Sequence, residues 1–190
     1  AGQGLFMALV TGQVYSLANL LAPQDSVTFY ATGSLLAMVL LGGGLVAAVF
    51  HLGKPSYFLT RAWRGITQWR TSWLSRELIA LPAFMLLVVL YGAAHFFGLT
   101  SPMFVIKGQI PVDPTLLLGV LGALLSVILF VSTAMIYASL RFLQEWHSPL
   151  TVANFILLGL ASGFMLATAF SAYTDATIVH FFGTWAIILT

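Results

Sequence analysis

Residues 115–140 read TLLLGVLGALLSVILFVSTAMIYASL, twenty-six residues without one charged side chain. At 1.5 Å rise per residue that is about 39 Å of helix, more than the ~30 Å hydrocarbon core of a bilayer. A helix apolar on every side has no face to give to water. Five more apolar runs surround it: about 1–22, 28–51, 77–98, 150–172, and one starting near 176 and still apolar at residue 190. Over the 190 residues, 60% are hydrophobic and 6% are charged, with mean hydropathy +1.01. Soluble domains carry roughly 25% charged residues. The predicted fold is therefore all-α: a single polytopic transmembrane helix bundle over 1–190 with about six spans. Both ends lie inside apolar runs and read as trimmed, and no signal-peptide pattern is present.

The charges are few but not scattered. Six of the seven basic residues, Lys54, Arg61, Arg64, Arg70, Arg76 and Arg141, fall on one side of the predicted spans, leaving Lys107 on the other. The positive-inside rule then puts the 52–76 connection in the cytoplasm. The arrangement does not suit nucleic acid, which calls for a basic face beside readable motifs. No cysteine is present, so an iron–sulfur cluster or cysteine-bound zinc must belong to a partner. No phosphate-binding, zinc-protease or nucleophile-elbow motif occurs. Gly42–Gly44, Gly119/Gly122 and Gly159/Gly163 are small enough for close helix crossings, since lipid supplies no hydrophobic drive between helices.

Chemistry concentrates between His51 and Glu77, in HLGKPSYFLTRAWRGITQWRTSWLSRE. Leu59, Trp63, Ile66, Trp69 or Arg70, and Trp73 recur at helical spacing, as in a short amphipathic helix lying among lipid headgroups. Its tryptophans suit that depth. Lys54, Arg61, Arg70 and Arg76 fit either lipid phosphates or an acidic partner subunit, whose approach they would steer. His51 ends the second span and Glu77 opens the third, on the same side. The bland account is a capping histidine and a carboxylate favoured by a helix N-terminus and by Arg76. The sharper account is a proton-handling pair for a quinone, whose reduction takes two electrons and two protons.

These residues also carry a family pattern. His51-Leu52-Gly53-Lys54-Pro55, Arg61-Ala62-Trp63, Trp73-Leu74-Ser75-Arg76-Glu77 and Trp146-His147-Ser148-Pro149-Leu150-Thr151 resemble the motifs of the membrane anchor subunits of dimethyl sulfoxide reductase-type enzymes. Tyr137 and the Gly159/Gly163 pair fit beside them. The resemblance runs from the second span through the fifth. It implies a complex with a molybdopterin catalytic subunit and a four-cluster, ferredoxin-like iron–sulfur subunit, anchored in the bacterial cytoplasmic membrane. It also implies a quinone, ubiquinone or menaquinone, bound by the anchor near His51 and Glu77, with Arg64 and Trp73 as looser matches. Gly2–Phe6 and the wording W-R-T-S-W-L-S-R-E resemble the branch that oxidises sulfite and reduces quinone, with the dimethyl sulfoxide reductase branch next. The family usually has eight spans against the six read here.

Other readings are weighed beside it. His95 and His180 lie on the side opposite the basic loop, and His51 and His147 on the basic side. Either pair has the residue type that ligates haem b, but the resemblance supplies no haem, and interface histidines are the plainer account. Asp113, Lys107 and Asp175 read as solvated loop charges, Asp25 as a turn residue, and Arg141–Glu145 as a surface pair. The rival from another class is a small transporter or channel, which would bury ionisable groups near the membrane midplane.

Overall fold

The structure, a computed structural model, describes residues 1–51, 65–106, 110–140 and 142–190. Among these, six α-helices run in order: α1 Gly2–Leu17, α2 Thr32–His51, α3 Trp73–Phe96, α4 Pro114–Ala138, α5 Pro149–Thr174 and α6 Val179–Leu189. A π-helical turn, Ser26–Ala31, leads into α2, and a 3-10 turn, Ala176–Ile178, leads into α6. The all-α bundle expected from composition is what forms.

Four helical segments are long and apolar enough to cross a membrane: Ser26–Phe50, Trp73–Phe96, Pro114–Ala138 and Pro149–Thr174. The first and last apolar runs form the shorter apolar helices α1 and α6. The first run stops because Asn19 adopts φ +56°, a left-handed conformation that ends helices and that asparagine tolerates better than most residues. The last run starts afresh at Asp175, whose carboxylate accepts from the Thr177 N–H and hydroxyl at 3.0 and 2.6 Å.

The start signals are local. Asp113 and Ser148 cap α4 and α5, each with proline at the first helical position, where a missing N–H costs nothing. Asp25 caps the π-helical turn by accepting from Val27 and Thr28. Between α3 and α4 the proline-rich segment forms a small antiparallel hairpin, β1 Phe104–Ile106 with β2 Ile110–Val112. Pro111 is tolerated because each strand of a two-stranded ribbon has an open edge.

The core is built around α1. Phe6 is wholly buried and meets Phe84 and Tyr91 edge-on at 5.4 and 5.2 Å. Gly122 makes room for it: a Cβ there would lie 2.6 Å from the Phe6 ring. Gly4 crosses Gly159 and Gly163 so closely that a methyl on Gly163 would overlap the Gly4 backbone. The glycine pairs of the fourth and fifth spans are thus contact sites, as their size suggests. Gly42–Gly44 are not: among the described residues nothing lies within 4 Å of a Cβ on any of them. Leu35, Val39, Val46 and Phe50 on the same helix are exposed too. The outward-facing side chains of the other long helices, such as Leu86, Leu124, Leu158 and Met165, are likewise apolar and exposed, a surface suited to lipid.

Candidate functional site

α2 ends, α3 begins, α4 ends and α5 begins at one end of the bundle, here the basic end. The His51 side chain, and Lys54, Arg61, Arg64 and Arg141, lie outside the described residues, and so does the 52–64 stretch of the predicted amphipathic helix. In the described remainder, Gln68–Thr71 form a turn and Trp73 opens α3, so the helical spacing read across Leu59–Trp73 breaks there. The break has a cause: Ser72 is extended and caps α3, its Oγ accepting from Ser75 N at 3.4 Å.

Arg76 folds back over this turn. Its Nε donates to the Trp69 carbonyl and a terminal nitrogen to the Arg70 carbonyl, both at 3.0 Å. Its guanidinium lies 4.0 Å from the centre of the Trp73 ring, and Arg70 stands 5.3 Å from that of Trp69. Each cation therefore rests on an aromatic face. Arg76 is spent on the turn, and no ion pair joins it to Glu77 among the described residues.

Glu77 finds a different partner. It is half-buried on α3, and its Oε1 accepts from the Thr133 hydroxyl of α4 at 2.7 Å. Thr133 lines an open cavity of about 630 Å³ bordered by the start of α1, the end of α4, the α4–α5 link and α5. Phe130, Trp146 and Phe155 give it aromatic walls; Gln3, Glu145, Thr151 and Asn154 give it polar ones. Tyr137 stacks on Phe155 at 5.2 Å and meets Trp146 at 4.9 Å, bracing two of those rings from behind. The Gln3 Nε2 is buried without a hydrogen-bond partner among the described residues. The arrangement can hold a flat ring, contact its polar edges and exchange a proton with a carboxyl group. His147 is exposed nearby, its Nδ1 donating to the Ala138 carbonyl at 2.8 Å, which leaves Nε2 as the acceptor in the neutral ring.

The opposite end holds polar groups of another kind. Gln13 Nε2 donates to Thr115 Oγ1 at 2.6 Å, Thr115 donates to Asp113 at 2.8 Å, and Tyr91 OH donates to Gln13 Oε1 at 2.9 Å. Tyr30 OH donates to Gln24 at 2.6 Å, and the Gln24 amide donates to the Ala22 carbonyl. His95 stacks on Tyr30 at 4.5 Å, meets Tyr91 at 4.6 Å and lies 3.3 Å from Ser26 Oγ through Nδ1. Two expectations change here. Asp113 is a buried cap, 8% exposed, where a solvated charge was expected; His95 is 2% exposed, inside the bundle and not at its interface. His180 is exposed on α6, and no hydrogen bond or ring contact joins it to His95.

Thr133 and the Gln13–Thr115 pair were missed in the sequence. A lone glutamine in an apolar run is a usable signal, since a buried amide must find partners. Thr133 gives none, because hydroxyls in membrane helices commonly bond their own backbone.

Comparison with known proteins agrees with this architecture. A sulfite dehydrogenase subunit of Allochromatium vinosum is 60% identical over 190 residues, which is all of this chain and 57% of that protein. The chain thus spans somewhat over half the length of this relative. No solved structure matches. The family described as DMSO reductase anchor subunit (DmsC) matches residues 4–190. With its all-helical membrane bundle and the motifs around Glu77, this chain belongs to that anchor-subunit family.

Proposed function

We propose that this chain is the quinone-binding membrane anchor of an oxidoreductase complex, passing electrons between a partner's iron–sulfur subunit and membrane quinone. The partners on this reading are a four-cluster, ferredoxin-like subunit and a molybdopterin catalytic subunit. A sulfite-oxidising complex in the bacterial cytoplasmic membrane is preferred, because the relative named above belongs to a sulfite dehydrogenase. The carrying observation is the Glu77 carboxyl group, half-buried at the start of a span and hydrogen-bonded to the wall of a ring-sized cavity. An ionisable group at the edge of the hydrocarbon needs a partner or a task, and a quinone needs protons there. His51, with Arg64 and Trp73, would complete the site. Lys54, Arg61 and Arg70 would face the acidic surface of the partner, with Arg76 holding the turn that presents Arg70 and the 52–76 segment in the cytoplasm.

The test uses the intact complex. Glu77→Gln and His51→Ala should lower quinone-coupled turnover roughly 100-fold, the lower range for a lost acid–base group. Turnover with a soluble dye, which bypasses the quinone, should survive. Undiminished quinone turnover in both variants would refute the site.

A further inference from the structure

We propose that Thr133 is the proton relay between Glu77 and the cavity. This rests on the quinone reading above. Glu77 is not among the residues lining the cavity; Thr133 is, and its hydroxyl is the group that joins the two. This bond crosses between helices: Thr28, Thr115 and Thr177 also donate to carboxylates, but to Asp25, Asp113 and Asp175 two or three residues away. Thr11, Thr32, Thr168, Thr174 and Thr184 each donate to the carbonyl four residues earlier in their own helix. Thr133 reaches instead from α4 to a carboxylate on α3. A hydroxyl has one hydrogen and two lone pairs. With the hydrogen on Glu77, its oxygen can still accept from a donor in the cavity. It can therefore take a proton on one side as it gives one up on the other.

Quinone reduction takes two electrons, here from the partner's iron–sulfur centre, and two protons. When Glu77 is protonated its O–H donates to Thr133 Oγ1, and the threonine hydrogen turns toward the cavity. The Thr133 proton passes to one quinone oxygen while the Glu77 proton replaces it on Oγ1. Glu77 is left ionised, with Thr133 donating to Oε1, the bond present in the structure. Water at the basic end then reprotonates Glu77. The second proton reaches the other ring oxygen by a separate route. Quinol oxidation runs the same steps backwards.

Thr133→Val keeps the shape and removes the hydroxyl; Thr133→Ser keeps the hydroxyl. In the intact complex, with a short-chain quinone as substrate, Thr133→Val should lower kcat roughly 10–100-fold with little change in KM. It should also enlarge the solvent deuterium isotope effect, leave dye-coupled turnover intact, and be rescued by Thr133→Ser. Wild-type kcat in Thr133→Val would overturn the relay, as would equal losses in Val and Ser with a raised KM, which mark a packing role. If Glu77→Gln fails while Thr133→Val works, only the relay falls. If Thr133→Val, Glu77→Gln and His51→Ala all turn over quinone normally, the quinone reading falls with the relay.

Discussion

The two ends of the bundle handle polarity in opposite ways. Where α3 finishes and α4 begins, Gln13, Thr115, Asp113 and Tyr91 satisfy one another in a buried chain, with Tyr30 and Gln24 beside it. Aromatic rings fill the space between, and among the described residues one side-chain atom there, His95 Nε2, is buried without a partner. At the basic end, cations rest on tryptophan faces, a carboxylate bonds a single hydroxyl, and a cavity stays open between α4 and α5. Polar groups that satisfy each other stabilise a fold. Polar groups left with spare capacity beside a cavity are available for chemistry. The closed end is suited to stability, and the open end is where the proposed reaction would take place.

That contrast can be broken by experiment. The largest effect belongs to the open end: Glu77→Gln should cost quinone turnover roughly 100-fold yet leave the thermal midpoint in detergent near wild type. A large fall in that midpoint would make Glu77 a structural residue. Next is the crossing that holds α1 on α5. Gly163→Ala puts a methyl into the Gly4 backbone and should destabilise the protein by about 3 kcal/mol, the upper end of ordinary overpacking, measured by denaturant unfolding.

At the closed end, Gln13→Leu strands the Tyr91 hydroxyl, while Thr115 keeps its bond to Asp113. The substitution should cost about 1–2 kcal/mol, the range between membrane double-mutant cycles and buried unsatisfied groups, with turnover per folded molecule unchanged. Lost turnover at full stability would reverse the assignment of the two ends.

Asp25 offers a smaller, pH-dependent test. Hydrogen bonds from the Thr28 N–H and hydroxyl, and from the Val27 N–H, hold its carboxyl below the ordinary carboxylate value. A depressed carboxyl contributes stability above its unfolded pKa and loses it as pH falls through the folded one. The cap should therefore survive at neutral pH and fail only on acidification below the ordinary value, with Asp25→Asn removing that dependence in amide-exchange measurements near Val27. Smallest of all, Gly43→Ala should change stability by less than about 0.5 kcal/mol, since among the described residues nothing lies within 4 Å of the added methyl. A large loss would show that this face is covered in the assembled complex.

The stretch of apolar residues, the Asp-Pro and Ser-Pro helix starts and the grouping of basic residues are local properties, and the sequence by itself determined them. A charge-poor run must leave water, and a capping side chain reaches backbone within its own turn. Glu77 could be singled out as well, because an acid at the edge of a span is costly wherever the helix packs. Its partner could not. Thr133 lies 56 residues away, and which threonine leaves its own helix to meet a carboxylate depends on how α3 and α4 cross. The same holds for glycines: Gly42–Gly44 and Gly159/Gly163 look alike as small residues, yet only the second pair touches another backbone. Long-range pairing is set by helix rotation and register, and these follow from packing of the whole bundle around Phe6. The tertiary structure alone decided which polar groups close on each other and which are left facing a cavity.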